Sequence, residues 1–138
     1  MARRVSSVVI DTSAVLALLQ EEETASRLRN ALAGDFVRLI STVSVLEATC
    51  VLGALRGPAA VFELTLFLSE FHFQQVPFDA AQLSIAQKAW LFYGRGRHPA
   101  RLNFGDCVSY ALAQSHNEPL LFVGDDFSRT DVLAVRHS

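Results

Sequence analysis

A short run rich in β-branched residues, 5–10, ends abruptly on Asp11-Thr12-Ser13 and gives way to a helical stretch over 14–20. Six residues without polar alternation suit a strand covered on both faces, as in parallel sheets. An Asp-Thr-Ser step directly after it is a helix-start signal. The same strand-then-helix alternation recurs along the chain. Glu21, Glu22 and Glu23 are expected in the first turn of a second helix ending near residue 33, where negative charge suits the helix dipole. Strands are predicted at 36–41, 71–76, 119–123 and 131–135. Helices are predicted at 42–56, with Thr42 as the expected cap, and at 58–70, 80–93 and 104–117. Gly57-Pro58 separates the first two of these, and a loop, Gly94-Arg95-Gly96-Arg97-His98-Pro99, precedes the last. Strands separated by helices imply right-handed crossovers and a parallel sheet of about five strands inside an α/β/α sandwich.

The 138 residues suit one domain spanning 1–138. With 51% hydrophobic and 19% charged residues, disorder and a solvated coiled coil are excluded. The longest stretch free of Asp, Glu, Lys and Arg is 107–117, eleven residues, where a membrane span needs about eighteen or more. The basic start Met1-Ala2-Arg3-Arg4 is followed by too short an apolar run for a signal peptide. The expectation is a soluble cytoplasmic protein. Cys50 and Cys107 are expected as buried free thiols, and His72, His98, His116 and His137 lack zinc-ligand spacing.

The acids carry the functional signal. Ligands of open parallel sheets bind beyond the carboxyl ends of the strands. Asp11 follows the first strand, Asp125 and Asp126 follow the fourth, and Asp106 opens the helix leading into it. Each has a structural role available on its own: Asp11 and Asp106 as helix caps, Asp126 as a turn residue. Glu47 is placed on the inward face of its helix, because Val43, Leu46, Cys50 and Ala54 read as that helix's apolar stripe. Carboxylates gathered at one edge would repel and hold protons unless a cation joined them. Oxygen ligands without His or Cys favour Mg²⁺ or Mn²⁺.

The net charge of −2 points to no partner, but setting aside those five acids leaves nine acids against twelve bases, or +3. Eleven of the twelve bases are arginine, which pairs bidentately with phosphate. Arg95, Arg97 and Arg101, with His98, sit in the loop that runs into Asp106. They suit a basic rim holding a phosphodiester backbone, although a merely solvated loop reads the same way.

The segments VVIDTSAVLALL, STVSVLEA, LNFGDCVSYALA and LLFVGDDFSRTDV, in this order, resemble the PIN-domain ribonucleases, and more closely the VapC toxins of bacterial toxin–antitoxin pairs. The resemblance spans essentially the whole chain. It implies a parallel α/β/α fold and a Mg²⁺- or Mn²⁺-dependent endoribonuclease site built from Asp11, Glu47, Asp106 and a fourth acid. Asp126 is favoured over Asp125 for that fourth place, with Asp125 an assisting polar residue. Thr12, Ser13 and Asn103 match polar positions that line such sites. The resemblance also implies a small antitoxin partner and toxin dimers. Leu64, Phe67, Leu68 and Phe71 are either contact residues for such partners or ordinary core. The implied chemistry is in-line attack of water on phosphorus, leaving 5′-phosphate and 3′-hydroxyl ends. Two rival readings fit the acids alone: an aspartyl phosphoacceptor, which needs a lysine that only Lys88 supplies, and an inactive module whose acids bind a basic partner tail.

Overall fold

A computed structural model of the chain describes residues 6–135. In order, the elements are β1 (Ser7–Ile10), α1 (Thr12–Leu19), α2 (Ala25–Leu32), β2 (Val37–Ser41), α3 (Thr42–Arg56), α4 (Pro58–Glu70), β3 (Gln74–Val76), α5 (Ala80–Tyr93), α6 (Phe104–His116) and β4 (Leu120–Leu121). Val5, the expected first residue of β1, lies outside the described residues, as do Met1–Arg4 and His137. No helix among the described residues is long and apolar enough to cross a membrane.

All strand pairs are parallel, in the order β3-β2-β1-β4. Val9 pairs with Leu39 on one side and Leu120 on the other, so β1 is central and buried on both faces. Its alternation sorts the core into two layers. Val8 and Ile10 pack with Leu28, Leu32, Leu52 and Leu64 of α2, α3 and α4, while Val9 packs with Leu102, Leu112 and Leu120 on the α5–α6 side. Leu64 and Leu68 are core, which settles one open question from the sequence; Phe67 is half-buried against the same cluster.

Several boundaries differ from the sequence expectation. The predicted fifth strand shrinks to one parallel bridge between Leu120 and Ala134, held by Leu120 N–H to Leu133 O at 2.8 Å and Val135 N–H to Leu120 O at 2.9 Å. Its partner β4 is only two residues long, because Val123 turns aside to donate its N–H to Ser13 Oγ at 3.0 Å. β3 starts at Gln74 because Phe71 still closes α4 and His72 takes a left-handed turn with φ 54°. Glu21–Glu23 form the turn between α1 and α2, and the first turn of α2 contains no acid. The cap of α3 is Ser41, whose Oγ accepts from Val43 N–H at 3.2 Å, rather than Thr42. Cys107 is buried as expected; Cys50 is exposed.

Candidate active site

From β1 the chain moves to β2 and β3 on one side and returns to β4 on the other. Between the carboxyl ends of β1 and β4 the connections therefore depart in opposite directions, and such a switch point opens a crevice. Asp11 stands there, tied to β4 by its N–H to Leu121 O at 2.9 Å. Asp11 is 4% exposed. Its Oδ2 accepts from Ser13 N–H at 3.0 Å, capping α1, and its Oδ1 accepts from the Ser109 hydroxyl at 2.5 Å. Burial raises its pKa above the usual carboxylate value, and the bonds from Ser109 and Ser13 oppose that rise. Thr12 and Ser13 brace the turn: Thr12 Oγ1 donates to Ser44 O at 3.3 Å, and Ser13 Oγ holds Val123. Both expected site residues thus fix the backbone around Asp11.

Asp106 enters from the first turn of α6 through a capping box. Asn103 Oδ1 accepts from Asp106 N–H at 2.8 Å, and Asp106 Oδ2 accepts from Asn103 N–H at 3.0 Å. Asp106 is 7% exposed. Burial above all, then the charges of Asp11 and Asp126 and a hydrogen bond with the Asp126 carboxyl, push its pKa up to about 8 against the opposing Asn103 bond. The structure therefore brings together Asp11, Asp106 and Asp126 from three separate segments. Asp125 is exposed, and its backbone carbonyl accepts from Ser128 N–H at 3.1 Å. Asp126 is exposed as well, but it is the one of the two that is among the main causes of the Asp106 shift.

Glu47 reaches the site by a route the sequence did not suggest. The buried residues of α3 are Ser44, Ala48 and Leu52, while Leu46 is 62% exposed and Cys50 is exposed. The inward stripe is thus rotated from the Val43–Ala54 stripe expected, and Glu47 lies at its flank, half-buried. Its carboxylate rests against Gly105 on the first turn of α6, next to Asp106 in sequence. The sequence reading also missed Ser109 and Ser44, whose hydroxyls lie 3.5 Å apart behind Asp11. Ser109 is one helical turn after Asp106, so the same-face spacing was there to be read.

Arg95, Arg97 and Arg101 are exposed on a loop pinched at its base by Arg95 N–H to Leu102 O at 2.9 Å and Leu102 N–H to Tyr93 O at 3.0 Å. The Arg97 guanidinium lies 4.6 Å from the centre of the Trp90 ring. The loop hands the chain directly to Asn103 and Asp106. Lys88 lines an apolar groove of about 730 Å³ between α5 and α6, with Trp90, Leu91 and Phe104.

The donor set suits a hard divalent ion in kind: oxygen atoms only, on carboxylates whose mutual repulsion a cation would relieve. In their present positions, no three His, Cys, Asp or Glu side chains among the described residues converge into a ready-made metal shell. Asp11, Asp106 and Asp126 act on one another electrostatically without forming such a shell.

A family profile described as the PIN domain matches residues 8–133. That match spans the parallel sheet and the segments that carry Asp11, Glu47, Asp106 and Asp126. Ribonuclease VapC30 of Mycobacterium tuberculosis is 44% identical over 128 residues, covering 93% of this chain and 98% of the relative. Ribonuclease VapC of Mycolicibacterium smegmatis is 47% identical over 128 residues, covering 93% and 99%. The crystal structure of Mycobacterium tuberculosis VapC20, described as a sarcin–ricin loop cleaving toxin, superposes with a TM-score of 0.74 at 20% identity over 94% of this chain and 98% of that one. VapBC2 from Rickettsia felis, solved bound to a promoter DNA fragment, gives 0.73 at 15% identity over 94% and 97%. The chain belongs to the PIN-domain family, among the VapC ribonucleases that are the toxins of toxin–antitoxin pairs.

Proposed function

We propose that this ribonuclease cuts RNA internally by metal-dependent hydrolysis, with Asp11, Glu47, Asp106 and Asp126 holding Mg²⁺ or Mn²⁺. The observation that carries the reading is the meeting of carboxylates from separate segments, Asp11 at the end of β1, Asp106 at the start of α6 and Asp126 after β4, close enough that Asp11 and Asp126 add to burial in raising the pKa of Asp106. Such a cluster is costly for the fold and suits an ion that neutralises it.

The residues divide the work. Ser109 and the Ser13 amide hold the two oxygens of Asp11 in fixed directions, so this buried carboxylate cannot swing away. The Asn103 amide holds Asp106 Oδ2 and leaves Oδ1 for other partners. When bound, the ion supplies Lewis acidity to the scissile phosphate and lowers the pKa of water at the site. Arg95, Arg97 and Arg101 hold the phosphates flanking the cut through charge and bidentate hydrogen bonds. Hydrolysis then leaves 5′-phosphate and 3′-hydroxyl ends. The solved VapBC neighbours support an antitoxin as the partner of this chain.

Purified protein incubated with labelled structured RNA and Mn²⁺ is expected to yield discrete fragments carrying 5′-phosphates. EDTA should stop the reaction, and fresh Mn²⁺ should restore it. Undiminished cleavage in EDTA would contradict the metal assignment. Covalent labelling by acetyl phosphate in place of cleavage would revive the phosphoacceptor reading.

A further inference from the structure

Two glycines lie inside helices, Gly53 in α3 and Gly105 in α6, and their surroundings differ. Neither has the positive φ that would by itself call for glycine. A Cβ at Gly53 would meet Val61 Cγ2 at 3.4 Å, an ordinary contact. A Cβ at Gly105 would overlap Glu47 Oε2 and stand 2.6 Å from Oε1 and 2.8 Å from Cδ. The sequence thus accepts a poor helix former at a helical position where a methyl group would strike a carboxylate from another element.

We propose that Gly105 is a positioning residue: its missing side chain leaves a seat on the first turn of α6 in which the Glu47 carboxylate rests, beside Asp106. This rests on the metal-dependent reading above. The seat has two physical advantages for a ligand. The start of α6 carries the positive end of the helix dipole, which favours an anion there. Contact with the backbone also limits the three-torsion glutamate side chain, whose free rotation would otherwise have to be frozen when an ion binds. The carboxylate of an element at the edge of the crevice is thereby held near the acids that α1 and α6 deliver.

The test is Gly105→Ala, read by calorimetric Mn²⁺ titration and by thermal unfolding of the metal-free protein. The clash falls on the far end of a flexible side chain, so the carboxylate yields and the fold survives. The metal-free unfolding temperature should stay level or rise, since alanine is the better helix former. Mn²⁺ affinity should fall about 10- to 100-fold, the usual loss when a residue orienting a ligand is changed. Gly53→Ala should match the wild type in both measurements. In a Glu47→Ala background, Gly105→Ala should cause no further loss of affinity, because its effect runs through Glu47. Wild-type affinity in Gly105→Ala, or an equal loss with and without Glu47, would overturn the proposal. If Gly105→Ala lowers the unfolding temperature, removing the carboxylate in the double variant should restore it, and failure to do so would count against the seat. A wild-type protein that binds no Mn²⁺ would instead refute the metal reading itself.

Discussion

Asp106 couples its proposed role to stability at a single residue. Its folded-state pKa is raised from the ordinary 3.8 to about 8, so between these values the folded protein binds more protons than the unfolded chain. Stability must then fall as pH rises through that window, the reverse of the usual carboxylate effect. Raised Asp11 acts in the same direction. Metal-free protein is therefore expected to melt at lower temperature at pH 8 than at pH 5, and Mn²⁺ should reverse the loss, most strongly at pH 8. Asp106→Asn keeps the capping oxygen but carries no charge. It should stabilise the metal-free protein at pH 8 by on the order of 1–2 kcal/mol, since one pH unit in a pKa is worth about 1.4 kcal/mol, while abolishing cleavage. A lower melting temperature for this variant at pH 8 would contradict the repulsion described here. Asp11 and Asp106 were legible in the sequence because each sits at an element boundary where polar residues are conspicuous. For Ser109 only the spacing from Asp106 was readable; its hydrogen bond to Asp11 emerges once the sheet and α6 are packed.

At the level of elements, helix ends were readable and helix rotation was not. The bounds of α3, α4 and α5 follow from plain signals: Gly57-Pro58 between α3 and α4, with proline at the first turn, and Asp79 accepting from Gln82 N–H at 2.9 Å. The face of α3 was misjudged because apolar residues occur nearly all around it, so the period selects no single stripe. Tertiary packing chose Ser44, Ala48 and Leu52, small side chains among them, which let α3 approach the α6 end of the sheet. The reason given for placing Glu47, an inward Val43–Ala54 stripe, does not hold, and its carboxylate instead lies against Gly105 beside Asp106. The cap of α3 was displaced by one residue for a similar reason: Ser41 and Thr42 are both capable, and the extended backbone of Ser41, at ψ 142°, is the one that fits a cap. Ser41→Ala should accordingly cost about 1 kcal/mol in urea unfolding, with Thr42→Ala costing a few tenths at most. Equal losses would mean the cap is shared.

For the whole molecule, the strand order matters more than the strand count. Alternating runs predicted a parallel sheet, and the order β3-β2-β1-β4 then opens a crevice beside β1 without help from any one residue. The fifth strand failed because β4 is too short to template more than a single bridge. Chain topology delivers Asp11, Asp106 and Asp126 to one place across about 115 residues of sequence. The decisive measurement is the anomalous difference map of a crystal grown in Mn²⁺. The account predicts a manganese peak coordinated by both Asp11 and Asp106, with Asp126 and Glu47 turned toward it. A crevice without manganese, or a peak held by residues elsewhere while these acids keep their protons, would contradict it.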